Sequence, residues 1–135
     1  MKKIIAFASD DGLCLKEGHF GDARVYNIYC VSDDKIEFKK KVKNEDIVKE
    51  FDEHTKKGKM IVEGLAKYDV DLIVSCQFGP NIKFVRKHFV PVKCEKADIY
   101  QTLDLLKDFI RENEESLSEN IILKIEEGKV KLISL

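Results

Sequence analysis

The sequence has no tryptophan, only two prolines, and no long hydrophobic run. A membrane-spanning helix needs roughly 18 consecutive apolar residues. The first apolar run covers only residues 4–8, which is shorter than the core of a signal peptide. We therefore expect a protein that neither enters a membrane nor is exported, and the cytoplasm is its expected location.

The chain also lacks an excess of charge of either sign. Its 24 lysines and arginines nearly balance 25 aspartates and glutamates, which leaves a formal net charge of −1. Proteins that coat nucleic acid or an anionic membrane carry a basic excess on one face, so no nucleic-acid partner is expected. A length of 135 residues is typical of one domain, and we assign residues 1–135 to a single domain.

No Cys-x-x-Cys pair occurs among the four cysteines, which are Cys14, Cys30, Cys76 and Cys94. This absence excludes a zinc ribbon and a thioredoxin-like redox motif. In a reducing cytoplasm such thiols stay unpaired, and each is then buried, metal-binding or reactive.

Hydrophobic patterning predicts an α/β protein. Apolar or β-branched runs predict strands at residues 3–9, 25–31, 36–42, 69–75 and 89–93, and a final hairpin at 121–135. Apolar residues at helical spacing predict helices after residue 60, from Gly79 to about residue 88, and over residues 97–113. Buried strands that alternate with helices indicate a five-stranded mixed sheet covered by helices, with the hairpin as an extension.

Right-handed crossovers would make the first, fourth and fifth strands parallel neighbours, with the 25–42 hairpin on the other side of the first strand. Cys14 and His19 then follow the first strand, Cys76 follows the fourth and Cys94 ends the fifth. Thiolate and imidazole suit iron–sulfur species, Cu(I) or zinc, so these four residues are candidate metal ligands. Each cysteine is equally explained by packing, and Cys30 is assigned to the core.

The turn Phe78-Gly79-Pro80 predicts the start of a helix, since proline suits the first helical position. Free N–H groups at such a start favour an anion, and Gly79 would let a bulky ligand approach the backbone. A helix start without any ligand explains the same residues.

Two longer patterns resemble a known family. The first runs from Ser9 through Gly18-His19-Phe20-Gly21 to the strand at residues 25–29, and the second from His54 through residues 65–74 to Phe78-Gly79-Pro80. Together they resemble the dinitrogenase iron–molybdenum cofactor biosynthesis family, which comprises small nitrogenase accessory and cofactor-carrier domains. The resemblance covers roughly residues 3–111, and residues 116–135 form a C-terminal extension.

The resemblance implies a three-layer α/β/α fold of the ribonuclease-H-like type. It also implies a non-catalytic protein that binds or carries an iron–sulfur cluster, iron–molybdenum cofactor or a precursor, and that meets a cluster donor or acceptor protein. His19 takes the place of the family's proposed ligand. The residues that would contact the cofactor are His19, Phe20, Gly21, Phe78, Gly79 and Pro80.

Cys76 stands where the family usually has a glycine, and two interpretations remain open. In the first, one small residue replaces another without effect; in the second, Cys76 adds a thiolate to the ligand set. In the second case Cys14, His19, Cys76 and Cys94 would form an all-protein site for an iron–sulfur cluster or zinc.

Two rival functions are a ribonuclease-H-like metal-dependent hydrolase and a plain interaction module. Such a hydrolase needs several carboxylates around its metal ions, and only Asp10 and Asp11 end the first strand. A turn that terminates a strand explains both residues more simply. An interaction module, or a homodimer, would use the hairpin at residues 121–135, which must pack on its own sheet or on another subunit.

Overall fold

The computed structural model describes residues 1–117 and 121–134, and within them one mixed sheet of seven strands carries helices on both faces. The strands are β1 (Lys2–Ser9), β2 (Val25–Ser32), β3 (Ile36–Lys43), β4 (Leu72–Ser75), β5 (Val90–Cys94), β6 (Ile121–Glu126) and β7 (Lys129–Ser134). Residues 118–120 and 135, which belong to the predicted C-terminal extension, lie outside the described residues.

The helices are α1 (Asn44–Val48), α2 (Lys57–Ala66), α3 (Ile82–Val85) and α4 (Ile99–Asn113). In α4, the apolar positions predicted from the sequence are all completely buried: Ile99, Leu103, Leu106 and Ile110. Asp98 caps this helix, because its carboxylate accepts hydrogen bonds from the N–H groups of Tyr100 and Gln101. Across the described ranges, the helices are too short or too polar for any of them to span a bilayer.

The strand order is β3-β2-β1-β4-β5-β6-β7. Strand β1 pairs in parallel with β4, which pairs in parallel with β5, and β2 runs antiparallel to β1 on its other side. The predicted arrangement of the first five strands is therefore confirmed. It brings the carboxyl ends of β1, β4 and β5 to one edge of the sheet.

The predicted count of five strands is wrong, because the C-terminal hairpin joins the same sheet. Strand β6 pairs in parallel with β5, with Leu123 opposite Val92. Without β6, the outer edge of β5 would leave its backbone groups unpaired. Leu123 and Ile125 are also buried in the core beneath α4, so the hairpin packs on its own sheet.

Two separate cores lie on the two faces of the sheet. Strand β1 contributes to both: Ile5 and Phe7 pack on the face covered by α4, and Ala6 and Ala8 on the face covered by α1, α2 and α3. A strand that is buried on both faces reads as a continuous apolar run, which explains residues 4–8. The sheet therefore divides the molecule into an α4 side and an α2 side.

The predicted helix from Gly79 to about residue 88 is much shorter in the structure. Gly79–Asn81 forms a single 3-10 turn, and α3 ends at Val85. The predicted preference for an anion at Gly79 depended on a helix dipole. A segment this short aligns few peptide groups and therefore has only a small dipole.

Replacing Asp98 tests whether its capping hydrogen bonds stabilise the start of α4. Asp98→Ala removes the acceptor for two backbone N–H groups, and we expect a loss of about 1 kcal/mol in the free energy of unfolding. Asp104→Ala, an exposed position inside the same helix, is the matched control and should change stability by less than about 0.5 kcal/mol. Urea denaturation measures both. Equal stability of the two variants would show that the cap is not used.

Candidate functional site

The loop between β1 and β2, residues 10–24, crosses the carboxyl edge of the sheet from one face to the other. Leu15 is buried on the α4 side and Phe20 is buried on the α2 side. Backbone hydrogen bonds hold the first half of the loop, from Lys16 N to Ala8 O at 3.0 Å and from Leu15 N to Ala97 O at 2.9 Å. The residues between Leu15 and Phe20, which include His19, therefore lie across this edge.

Asp10 and Asp11 hold the start of this loop in place. The Asp11 carboxylate accepts hydrogen bonds from the N–H groups of Cys14 and Leu13, which lower its pKa. Partial desolvation raises the pKa of Asp10, but the Arg24 N–H and the Lys16 ammonium outweigh it and hold that pKa below its usual value. Both carboxylates therefore have a structural use, as the turn interpretation predicts.

The second half of the loop is fixed to the segment that follows β4. The Phe20 N–H donates to the Gln77 carbonyl at 2.9 Å, and the rings of Phe20 and Phe78 pack 5.6 Å apart. Beneath them, the Tyr26 hydroxyl donates to the Phe20 carbonyl, and the Asn44 amide donates to the Gly21 carbonyl at 2.9 Å. These contacts join two segments far apart in sequence into one rigid edge.

His19 lies directly on Gly79 at this edge. Gly79 has a φ of +58°, and a Cβ atom placed on it would stand 3.1 Å from His19 Cε1 and 3.2 Å from Nε2. Only glycine adopts this backbone conformation freely and leaves room for the ring. His19 is exposed, and its ring has no hydrogen bond or ion pair with any other residue in 1–117 or 121–134. The turn thus lies beneath an imidazole whose nitrogen atoms are not bonded to any of the described residues.

The six residues predicted to contact a cofactor divide into two groups. His19, Gly79 and Pro80 are exposed at the edge, whereas Phe20, Gly21 and Phe78 are buried. Gly21 packs against the backbone of Gly58 at the start of α2. The buried three therefore position the loop, and only the exposed three are placed to touch a ligand.

The structure does not assemble the predicted four-ligand set. In residues 1–117 and 121–134, no group of three or more His, Cys, Asp or Glu side chains could hold a metal ion. Side chains alternate between the faces of a strand, so Cys76 packs on the α4 side like Val74, two residues before it. The chain then bends, and because of this bend Phe78 packs on the opposite, α2 side. Cys94 is also on the α4 side. Phe20, the residue that follows His19, packs on the opposite face of the sheet. Metal binding by any one of these cysteines stays a prediction.

Burial affects the chemistry of the cysteines. It raises the pKa of Cys94 to about 11 and raises the pKa of Cys76 above its usual value. Both groups are therefore protonated thiols at neutral pH. Cys30 is buried within β2 and is a core residue, as the sequence predicts.

The residues that hold the turn after His19 were not among those predicted from the sequence. Tyr26 and Asn44 connect it to β2 and to the start of α1, and the Lys57 ammonium forms an ion pair with Asp22 at 3.3 Å. Beside this turn opens a cleft of about 1060 Å³ lined by charged residues from three segments. Residues so far apart in sequence form no motif, so no sequence signal could have identified them.

The fold and the site define a small α/β domain with a helix-covered mixed sheet that presents one histidine at its carboxyl edge. The family model described as dinitrogenase iron-molybdenum cofactor matches residues 1–109, and the chain belongs to that family. The predicted family is therefore confirmed. The match ends within α4, so β6 and β7 lie beyond it. Comparison with curated proteins gives no match.

Two glycine substitutions separate backbone strain from the contact with His19. Gly128→Ala places a Cβ in open space at a φ of +73°, so it should cost only the conformational strain of about 1 kcal/mol. Gly79→Ala causes the same backbone strain and also a steric clash with the His19 ring. We expect a loss of about 2–3 kcal/mol in the free energy of unfolding. Urea denaturation measures the losses, and NMR shifts of the His19 ring report its displacement.

The ring shift should appear in Gly79→Ala and be absent in Gly128→Ala. Equal losses in both variants, with an undisturbed His19 ring, would contradict the contact.

Proposed function

We propose that this protein is a non-catalytic carrier that binds an iron–sulfur or iron–molybdenum-type cluster through His19. Membership of its family implies involvement in making or handling the iron–molybdenum cofactor. The finer proposal is that the chain accepts an assembled cluster, the cofactor itself or a precursor, from a donor protein and releases it to an acceptor. We place this exchange in the cytoplasm.

The exposed imidazole of His19 is the observation that carries this proposal. Its ring rests on Gly79, and none of the described residues bonds to its nitrogen atoms. Imidazole nitrogen is an established ligand for iron and for iron–sulfur centres. Gly79 limits the ring on one side, and this restriction reduces the side-chain entropy that is lost when a cluster binds.

A single protein donor suits a carried cluster better than a resident ion. A structural zinc site takes four protein ligands, and the described residues place no such set around His19. An assembled cluster brings its own bridging sulfides, so one imidazole can anchor it while other positions remain open to a partner protein. One bond is also easily exchanged, which a protein that delivers its cargo requires.

The surroundings of His19 suit an anionic cargo. The turn after His19 packs through Gly21 on Gly58 in the first turn of α2. That first turn contains Lys57 but no acidic residue. The Lys57 ammonium is itself paired with Asp22 at 3.3 Å, so the peptide dipoles at the start of α2 are what attracts negative charge locally. A chain with a net charge of −1 can therefore bind an anion without a basic surface.

We interpret the strands β3-β2-β1-β4-β5 as the ribonuclease-H-like core that the resemblance implies, extended by β6 and β7. Hydrolysis on such a core would need several carboxylates at the end of β1, but Asp10 and Asp11 are engaged in holding the loop. This supports a role without catalysis. β7 ends the sheet, and pairing of two copies through the 121–135 hairpin stays a prediction.

Cluster uptake by matched histidine variants tests the proposal. The full chain is incubated anaerobically with isolated iron–molybdenum cofactor, and iron and molybdenum that elute with the protein are measured after gel filtration. Wild type should retain about one cluster per chain, and His19→Ala should bind at least about tenfold more weakly, since its only anchor is lost. Circular dichroism checks that both proteins are folded.

His54→Ala is the control, because the His54 ring is also exposed and lies 3.8 Å from the carboxylate of its neighbour Glu53. It should bind the cluster as wild type does. Uptake by His19→Ala equal to that of wild type would refute the proposal. Magnesium-dependent cleavage of nucleic acid that survives His19→Ala but not Asp10→Asn would support the hydrolase instead.

A further inference from the structure

Two cysteines stand side by side where β4 and β5 end. The parallel register places Val74 beside Val92 and Ser75 beside Lys93. The next position along each chain is a cysteine, Cys76 on one and Cys94 on the other. Cys94 is the last residue of β5 and Cys76 directly follows β4, so the two thiol-bearing residues lie at the ends of neighbouring strands, whose backbones are about 4.8 Å apart.

Both side chains lie on the same face of the sheet. Cys94 is buried in the core on the α4 side, with only 3% of its surface exposed, and Cys76 packs against the edge of that core. Cys76 is partly exposed and gives access from solvent. The charge of a Cys76 thiolate also contributes to the raised pKa of Cys94, as expected for sulfur atoms close together. The molecule therefore contains a thiol pair, Cys76 and Cys94.

We propose that this thiol pair is a two-coordinate binding site for a soft, thiophilic monovalent cation of the Cu(I) type. On binding, the S–H bonds of both cysteines break, two sulfur–metal bonds form, and two protons pass to solvent. Neither the metal nor the sulfur changes its oxidation state. This site is separate from the proposed cluster site, because His19 adjoins the α2-side core and the thiol pair lies on the α4 side.

The number and spacing of the donors select the kind of ion. Zinc needs four ligands, and in the described parts of the chain no third donor completes a group around the thiol pair. A zinc–sulfur bond is about 2.3 Å long, and a linear S–metal–S unit with bonds of that order spans roughly 4–5 Å, which two side chains on the same face of neighbouring strands can bridge. Thiolate ligands select Cu(I) among the common soft ions.

Two charged groups near Cys76 act on its thiol in opposite directions. Two thiolates and one monovalent cation carry a net charge of −1, which an apolar surrounding would oppose. Burial and the Glu17 carboxylate raise the pKa of Cys76, and the Lys96 ammonium lowers it by a smaller amount. Lys96 forms an exposed ion pair with Glu17 at 3.6 Å, which costs little to rearrange. It can therefore offset the charge of the occupied site.

Competition for Cu(I) tests the proposal on the full, reduced chain. Cu(I) is titrated anaerobically in the presence of a chromophoric Cu(I) chelator, and the chelator's absorbance reports the copper taken by the protein. Wild type should bind one equivalent. Cys76→Ser and Cys94→Ala should each bind more than about a hundredfold more weakly, because the second bond is formed intramolecularly. X-ray absorption at the copper edge should show two sulfur ligands in wild type.

Cys30→Ala and Cys14→Ser are the matched controls, and both should bind Cu(I) as wild type does. If Cys94→Ala does not fold, Cys76→Ser alone decides, since this position is partly exposed. Unchanged affinity in Cys76→Ser, or equal losses in Cys14→Ser, would overturn the two-coordinate site. The cluster test remains independent, because Cys76→Ser should still take up iron–molybdenum cofactor and His19→Ala should still bind Cu(I).

Discussion

The contact between the His19 ring and Gly79 determines how this edge of the protein is built. Gly79 must adopt a positive φ to turn the chain after β4, and only a residue without Cβ leaves space for the imidazole above it. The Phe20–Phe78 pair and the Phe20 N–H bond to Gln77 fix the two segments against each other. The residues around His19 therefore support one exposed ring, and that ring forms no hydrogen bond or ion pair with the described residues.

The face of the sheet on which a side chain lies determines which candidate ligands are close enough to bind one metal ion. Its two faces carry separate cores, and the loop that holds His19 passes from one to the other between Leu15 and Phe20. Cys76 and Cys94 belong to the α4 side, whereas the Phe20–Phe78 pair beneath His19 belongs to the α2 side. One edge of the sheet thus presents a single imidazole and, on the α4 side, two thiols, and the two proposed binding sites depend on these separate groups.

Much of the fold could be predicted from local patterns. The continuous apolar run of β1 and the spacing of Ile99, Leu103 and Leu106 in α4 record burial directly, and the handedness of crossovers then orders the central strands. The place of β6 could not be predicted, because a hairpin pattern does not say which edge it pairs with. Likewise, the sequence brings the cysteines to the correct edge, but a side chain's face depends on the bend after β4. Tyr26 and Asn44 carry no motif at all, so only the structure shows that they hold the turn after His19.

The central claim is that His19 is the protein ligand of a carried metal–sulfur cluster. Pulsed EPR of the cluster-loaded chain, labelled with ¹⁵N-histidine and held in a paramagnetic state, tests it most directly. The account predicts ¹⁵N coupling from one imidazole that is lost in His19→Ala and kept in His54→Ala and His88→Ala. A loaded wild-type protein without this coupling, or a coupling that persists in His19→Ala, would contradict it.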